Sequence, residues 1–155
     1  MDRETRATVD DHRALRLWLR LLTCSQLIER HVRSRLRERF GTTLPRFDLL
    51  SQLERHPAGL KMNELSRLLM VTGGNVTGIV DQLVKEGLVE RVDDAADRRA
   101  WRVKLTRAGG KAFAEMARAH EDWVAELLAG VPRRDSDALM QLLARLKQVT
   151  LEKSA

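Results

Sequence analysis

Hydrophobic positions recur at helical spacing along most of the chain. Residues 11–40 contain no glycine or proline and are rich in Leu, Arg and Glu, which predicts one long helix. Residues 15–28 are apolar around most of the helix circumference, so we expect this helix to be buried on several sides. Gly41 supplies a C-terminal stop, and Pro45 fits the first turn of a second helix that ends before the His-Pro-Ala-Gly at residues 56–59.

The next interval predicts two short helices and then a change of period. The first covers about residues 62–70, and the second starts after a turn at residues 71–72. In the second, one face carries apolar side chains at i, i+3, i+4, i+7 and i+8: Val76, Ile79, Val80, Leu83 and Val84. Gly87 ends that helix in the manner of a C-cap. Residues 88–106 then predict strand, polar loop and strand, because apolar and polar side chains alternate from Trp101 onward.

Helical spacing returns at Arg107 and, after a break at residues 130–136, again in a last helix. The fold class is therefore mainly α with a small β-hairpin. Two short helices joined by a tight turn and followed at once by a hairpin have the element order of a winged helix-turn-helix.

Length and charge restrict the function only weakly. The 155 residues suit one domain, 1–155. The 28 Lys and Arg against 22 Asp and Glu give +6, which favours a polyanionic partner. Residues 1–59 hold 12 basic and 8 acidic side chains and so carry most of this excess. Because no run approaches about 18 apolar residues and the first ten are charged, we expect neither a membrane span nor a signal peptide, and a cytoplasmic protein.

The second short helix carries side chains suited to reading DNA. A helix enters the major groove when its apolar face packs on the domain and its polar face meets base edges. Asn75 and Gln82 can pair with adenine, and Thr77 can reach a phosphate or a thymine methyl. The whole outward face consists of Gly74, Asn75, Thr77, Gly78, Asp81, Gln82 and Lys85. The alternative, a helix that only covers a core, remains open on this segment alone.

The hairpin loop adds Asp97, Arg98 and Arg99 where the chain turns back into a strand. Arginine suits the narrow minor groove because it is weakly hydrated and is attracted by the negative potential there. We expect one arginine to pair with Asp97 and brace the loop while the other projects. The alternative is an exposed hairpin tip with ordinary charges.

The stretch "RVDDAADRRAWRVKLTRAGG" resembles the signature of the MarR family of transcriptional regulators, in which Asp-x-Arg lies in the wing and Leu-Thr-x-x-Gly leads into the next helix. The matching residues are Asp97, Arg99, Leu105, Thr106 and Gly109. "NVTGIVDQLVKEGLVER" is similar to that family's recognition helix. The resemblance covers nearly the whole chain and implies a winged lobe at 44–106, with dimerisation helices at 11–40 and 107–152.

Two departures from the family's pattern concern the helix-turn-helix. Gly78 follows Thr77 where the family often has arginine, so one DNA contact is in doubt. Lys61 stands where the preceding helix commonly has a Thr or Ser N-cap, and Asn63 is a nearby candidate for that role.

The resemblance implies a homodimer on a pseudo-palindromic operator, with half-sites about one helical turn apart. It further implies a repressor that a small aromatic ligand releases, such as a hydroxycinnamate or benzoate compound or its CoA thioester. The predicted DNA contacts are Gly74, Asn75, Thr77, Gly78, Gln82, Asp97, Arg98 and Arg99. Candidate ligand contacts, chosen only because their segments can line a pocket between the dimer helices and the reading lobe, are Trp18, Cys24, His31, Arg46, His120 and Trp123.

The sequence leaves three other functions to consider. Cys24 suggests a peroxide-sensing repressor, although its apolar neighbours favour a small buried side chain. A winged-helix module that binds protein is the second. An enzyme is disfavoured because the four histidines lack metal-ligand spacing and neither a phosphate-binding loop nor a nucleophile motif is present, and no cofactor is expected.

Gly73 and Gly74 open the predicted recognition helix. We expect Thr72 to cap its first turn. Our hypothesis is that the glycines let the backbone and its unpaired N–H groups approach DNA closely.

Overall fold

The computed structural model describes residues 9–69, 73–97 and 99–155. In these ranges the elements are α1 (Val9–Phe40), α2 (Leu44–Arg55), β1 (Leu60–Lys61), α3 (Met62–Leu69), α4 (Gly73–Lys85), β2 (Val89–Asp93), β3 (Trp101–Leu105), α5 (Arg107–Leu128) and α6 (Arg133–Ser154). The predicted fold class, mainly helical with a small β-hairpin, is confirmed.

Local sequence signals set the helix boundaries near the winged lobe. Gly41 adopts φ 59°, and its N–H donates to the Arg37 carbonyl, which closes α1. Thr43 caps α2 by accepting a hydrogen bond from the Arg46 N–H at 3.4 Å, and Pro45 occupies the first turn. At the end of α4, Gly87 adopts φ 75°.

The sheet has one strand more than the sequence predicted. β2 and β3 form the expected antiparallel hairpin, with Arg91 opposite Val103. β1 pairs antiparallel with the other edge of β3, and Leu60 lies opposite Val103, so the strand order is β1-β3-β2. A two-residue strand is too short to show a period in its sequence.

A compact core holds the winged lobe together. It is built from fully buried side chains of α1, α2, α3, α4 and the sheet: Leu36, Leu49, Leu50, Leu53, Leu65, Val76, Val80, Leu83, Val89 and Val103. Burial of this apolar surface fixes which face of α4 points inward.

The expectation that residues 15–28 are buried on several sides is wrong for the single chain. Leu15, Leu17, Trp18, Leu19 and Leu27 are exposed, and α1 turns Val32 and Leu36 into the core instead. The side chains of the five exposed residues are each left about half exposed by the single chain.

The chain divides into two compact units, one ending at Glu121 and the other spanning Asp122–Ala155. In the second unit, α6 has no buried residue, and its large apolar side chains are exposed: Leu139, Met140, Leu142, Leu143, Val149 and Leu151. The predicted boundaries of the lobe and the dimerisation helices stay predictions.

Candidate nucleic-acid interface

Helix α4 presents a polar face to solvent because its apolar stripe is fixed in the core. Val76, Val80 and Leu83 are fully buried. The predicted outward residues for which exposure is described are indeed exposed: Asn75, Thr77, Gly78, Asp81, Gln82 and Lys85. Such a helix has the arrangement that major-groove reading requires.

The start of α4 is partly as predicted. Gly73 and Gly74 are its first two residues. The predicted turn at Val71 and the predicted cap at Thr72 lie outside the described residues.

The N-terminus of α3 is closed differently from the prediction. Asn63 lies inside the helix, where its Oδ1 accepts from the Glu64 N–H at 2.9 Å, so it is not the cap. Instead, the Lys61 N–H donates to Glu64 Oε1 at 3.2 Å, which is half of a capping box. Because of this hydrogen bond, the start of α3 does not require a Ser or Thr N-cap at position 61.

The tip of the hairpin is braced by Asp97. Its Oδ1 accepts a hydrogen bond from the Arg99 backbone N–H at 3.0 Å, which is an Asx turn. The bracing contact in the described part of the loop thus comes from the Arg99 backbone and not from its guanidinium. Arg98, the other predicted contact, lies outside the described residues.

A buried carboxylate anchors the base of the same loop. Asp94 accepts from the Ala96 N–H at 3.1 Å and pairs with Lys61 Nζ at 3.2 Å and Arg102 Nε at 3.7 Å. The Ala96 N–H and then the Lys61 ammonium lower the pKa of the Asp94 carboxyl from its usual value of 3.8, against the opposing effect of desolvation. Because Lys61 belongs to β1 and Arg102 to β3, this carboxylate joins the loop to both strands.

Arg99 lines a surface groove of about 450 Å³ between the wing and the start of α3, which we call the wing groove. It is lined by Lys61, Met62, Asn63, Asp97, Arg99, Ala100 and Trp101. Because Lys61 is paired with Asp94, Arg99 is the basic side chain of this groove that is suited to a phosphate of the DNA backbone.

Arg91 connects the wing to α4. Its guanidinium forms an ion pair with Asp81 and lies 4.8 Å from the centre of the Trp101 ring. Asp81, on the outward face of α4, is therefore engaged within the chain. Sequence reasoning did not identify Arg91, because its partners lie ten residues away on either side and share no motif.

Arg46 makes a second connection to α4, from α2. Its Nε donates to Thr42 Oγ1 at 3.2 Å, its Nη1 donates to Gln82 Oε1 at 3.2 Å, and its Nη2 pairs with Glu86. The Arg46 side chain is only 17% exposed. Arg46 was predicted to contact a ligand. In the structure it contacts Gln82, a residue that was predicted to contact DNA.

Among the candidate ligand residues of the first compact unit, His120 and Arg46 line different grooves. His120 lines a groove of about 580 Å³, the His120 groove, together with Leu22, Ser25, Gln26, Ile28, Glu29, Val32 and Leu44. Arg46 lines a separate cavity of about 200 Å³. His31 is half-buried, Trp123 is buried, and Trp18 is 56% exposed.

Titratable side chains surround the His120 groove. The His120 ring packs 5.0 Å from that of Phe47 on α2. Burial, together with the nearby Glu29 carboxylate, raises the pKa of the Asp48 carboxyl, and His120 and Arg33 act in the opposite direction. Charges of both signs thus lie near the groove.

Cys24 is exposed, so the interpretation of it as a small buried side chain is wrong. It lies on the same apolar stretch of α1 that the chain leaves uncovered. Over the described ranges no cluster of three or more His, Cys, Asp or Glu is placed to hold a metal ion. None of the helices described is both long and apolar enough to cross a bilayer.

Comparison with known proteins gives consistent matches. A model of the MarR family matches residues 40–100. The transcriptional activatory protein BadR of Rhodopseudomonas palustris is 33% identical over 98 residues, which are 62% of this chain and 55% of BadR, so the chain spans about half the length of this relative.

Solved structures match over a larger share. The crystal structure of a MarR family transcriptional regulator from Silicibacter pomeroyi is 34% identical, with 92% of this chain and 99% of that chain covered and a TM-score of 0.78. Wild-type MarR from E. coli in its apo form is 26% identical, with 82% and 93% covered and a TM-score of 0.74.

Proposed function

Since this chain belongs to the MarR family of transcriptional regulators, we propose that it is a homodimeric repressor that a small aromatic ligand releases from a pseudo-palindromic operator. The family consists of DNA-binding regulators and not of enzymes. The observation that carries the proposal is the exposed polar face of α4 beside a braced wing. In each subunit α4 reads the major groove and Arg99 reaches the adjacent minor groove.

The uncovered apolar side chains of α1 and α6 support a homodimer. Several large exposed apolar side chains on one helix are expected at an interaction site, and the hydrophobic effect drives their burial. A two-fold dimer sets two α4 helices about one turn of DNA apart, roughly 34 Å, which requires a pseudo-palindromic operator. The target being chromosomal DNA, we also propose a cytoplasmic location.

Repression follows from occupancy alone, since a dimer bound across a promoter excludes polymerase. BadR is named an activatory protein, so the opposite effect on transcription, activation, has to be tested. A promoter fused to a reporter should be more active when the gene for this protein is deleted. Lower activity after deletion would make the protein an activator.

The His120 groove supports a ligand with an apolar ring. Leu22, Ile28 and Val32 give it an apolar wall, and His120 contributes an aromatic ring to the lining. The ring of a benzoate or hydroxycinnamate would lie against this apolar wall, and its carboxylate would be directed away from the Glu29 carboxylate, which lines the same groove.

DNA binding is tested by gel-shift on the DNA that flanks the protein's own gene, at several salt concentrations. The logarithm of the affinity should fall against that of salt with a slope of about 0.9 per phosphate neutralised. A shift that is absent, or unaffected by salt, would favour a winged-helix module that binds protein.

Ligand release is tested by thermal shift with aromatic acids and their CoA thioesters, followed by gel-shift with each stabilising compound. A bound ligand raises the melting temperature by mass action and should dissociate the DNA complex. If no compound stabilises the protein, the ligand part of the proposal is wrong and the DNA-binding part stands.

Peroxide sensing through Cys24 has one observation in its favour, the exposure of the thiol. If it operates, peroxide abolishes the DNA complex of the wild type and spares that of Cys24→Ser. Equal sensitivity of the two proteins excludes it.

A further inference from the structure

Gln82 lies on the exposed face of α4, yet one end of its amide is held within the chain. Arg46 Nη1 donates to Gln82 Oε1 at 3.2 Å. The guanidinium is itself fixed by Thr42 Oγ1 and by Glu86, one helical turn beyond Gln82. The orientation of the Gln82 amide is therefore set by a side chain from another helix.

The chemistry of the pair decides which end of the amide faces Arg46. A guanidinium has five N–H donors and no acceptor, so only the carbonyl oxygen of Gln82 can meet it. The amide NH₂, with its two donors, is directed away from Arg46. This assignment does not depend on distinguishing oxygen from nitrogen by position.

A glutamine held in this way cannot read every base. Bidentate pairing with adenine needs the amide oxygen and nitrogen on the same base, at N6 and N7. Arg46 occupies one of the two lone pairs of Gln82 Oε1 and holds that oxygen towards α2, so the end of the amide left to face a base is the NH₂ with its two donors. Guanine presents two adjacent acceptors in the major groove, O6 and N7, and is the base that such a side chain matches best.

We propose that Arg46 is a positioning residue for base recognition: by holding the Gln82 carbonyl oxygen, it makes Gln82 a donor-only reader that prefers guanine over adenine at one position of each half-site. The inference rests on the proposed DNA-binding function. It concerns a residue that does not itself touch DNA.

The experiment selects binding sites from a random double-stranded DNA library with the full-length wild type and its variants. The variants are Arg46→Met, Gln82→Ala and the double variant, with Arg55→Met as the matched control because Arg55 is an exposed arginine at the end of the same helix. Affinities are then measured on the selected site and on the same site with guanine replaced by adenine. A ratio of affinities is insensitive to a partly unfolded sample.

The wild type should prefer guanine at one position of each half-site by about fivefold or more. Arg46→Met should bring that preference within about twofold, or reverse it towards adenine, because the freed amide can then pair bidentately. Gln82→Ala should lose the preference, the double variant should resemble Gln82→Ala, and Arg55→Met should keep the wild-type preference.

Three results would overturn the inference: adenine selected at the Gln82 position by the wild type, an unchanged guanine preference in Arg46→Met, or no altered position in Gln82→Ala. A uniform loss of affinity in Arg46→Met, which leaves the guanine preference unchanged, is the second of these results and would assign Arg46 to the packing of α2 on α4 instead. If the wild type enriches no motif, the proposed function fails, and not merely this inference.

Discussion

Single residues of the wing divide into those that hold the loop and those directed at a partner. Asp97 holds it through the Arg99 backbone N–H, which leaves the Arg99 side chain exposed beside the wing groove. Removing that side chain therefore takes away a charge and very little packing.

Arg99→Ala should weaken DNA binding and lower the salt slope by about one, because its guanidinium no longer neutralises the phosphates that border the minor groove. The melting temperature should stay near that of the wild type. Quantitative gel-shift at several salt concentrations measures both effects. Arg118→Ala, which removes an exposed arginine from α5, is the control and should change neither. A large drop in melting temperature would show that Arg99 is structural.

Asn75→Ala should act differently, since Asn75 is exposed near the start of α4 and its amide can pair with adenine. Loss of one base contact should cost about 1–3 kcal/mol on the preferred site and less on mismatched sites. Competition between site variants measures this change of preference. If all sites weaken equally, Asn75 contacts only the phosphate backbone.

Asp94 gives the wing an acid-sensitive anchor. Its pKa in the folded protein lies below 3.8, so the ionised form is stabilised by folding. That contribution is fully present above the ordinary pKa and is lost as the pH falls through the lower, folded value.

Asp94→Asn should therefore lower the melting temperature at neutral pH and reduce the loss of stability below about pH 4. Asp93→Asn, at the neighbouring exposed position, is the control and should keep the acid dependence of the wild type. Melting curves from pH 2 to pH 7 compare the three proteins. If the melting temperature of Asp94→Asn falls towards low pH as steeply as that of the wild type, this assignment is wrong.

Elements whose apolar spacing repeats over several turns were predictable from the sequence. Elements that form only by pairing with a distant segment were not. The Leu and Val spacing of α4 fixed both its type and its buried face, and Gly41 and Gly87 marked helix ends. β1 escaped prediction because its two residues become a strand only by pairing with β3.

The same distinction applies to the candidate site. Exposure of Asn75 and Gln82 followed from helical spacing, whereas the contacts of Arg46 with Gln82 and Glu86 join positions 36 and 40 residues apart. No local pattern encodes such a pair. For a related reason, the sequence could not show that two of the ligand candidates, His120 and Arg46, line different cavities.

The junction between the wing and α5 depends on one glycine. A Cβ at Gly109 would lie 1.8 Å from the Leu88 carbonyl oxygen, which is backbone and cannot turn aside, whereas a Cβ at Gly110 would meet nothing within 4 Å. Thr106 supports this close approach by accepting from the Gly109 N–H at 3.0 Å. Adjacent positions in one helix thus have opposite tolerance.

Gly109→Ala should destabilise the protein by about 3 kcal/mol through overpacking, because α5 must move away from the start of β2. Gly110→Ala is the matched control and should stabilise the helix by up to about 1 kcal/mol. Urea unfolding of both variants measures the difference. Equal stabilities would mean that the close approach at Gly109 is relieved by movement at little cost.

At the scale of the whole molecule, many large apolar side chains are exposed. Most of them belong to α1 and α6, and α6 buries none of its residues. An apolar face with no partner inside the chain is a candidate interaction surface, and the proposed homodimer would cover these faces of α1 and of α6 with a second copy. Stability, dimerisation and operator affinity should then be linked.

Leu142→Asp tests that linkage, because Leu142 is 53% exposed in the single chain and its replacement removes no buried contact within the subunit. Sedimentation should show a monomer at concentrations where the wild type is a dimer, since a carboxylate at a buried interface is left without a partner. The melting temperature of the wild type should rise with protein concentration and that of the variant should not. Affinity for a two-half-site operator should fall by roughly 100-fold, the loss expected when two linked contacts become one. Gln141→Asp adds the same charge at the adjacent, polar position and should remain a dimer. A dimeric Leu142→Asp with full operator affinity would place the subunit interface away from this part of α6.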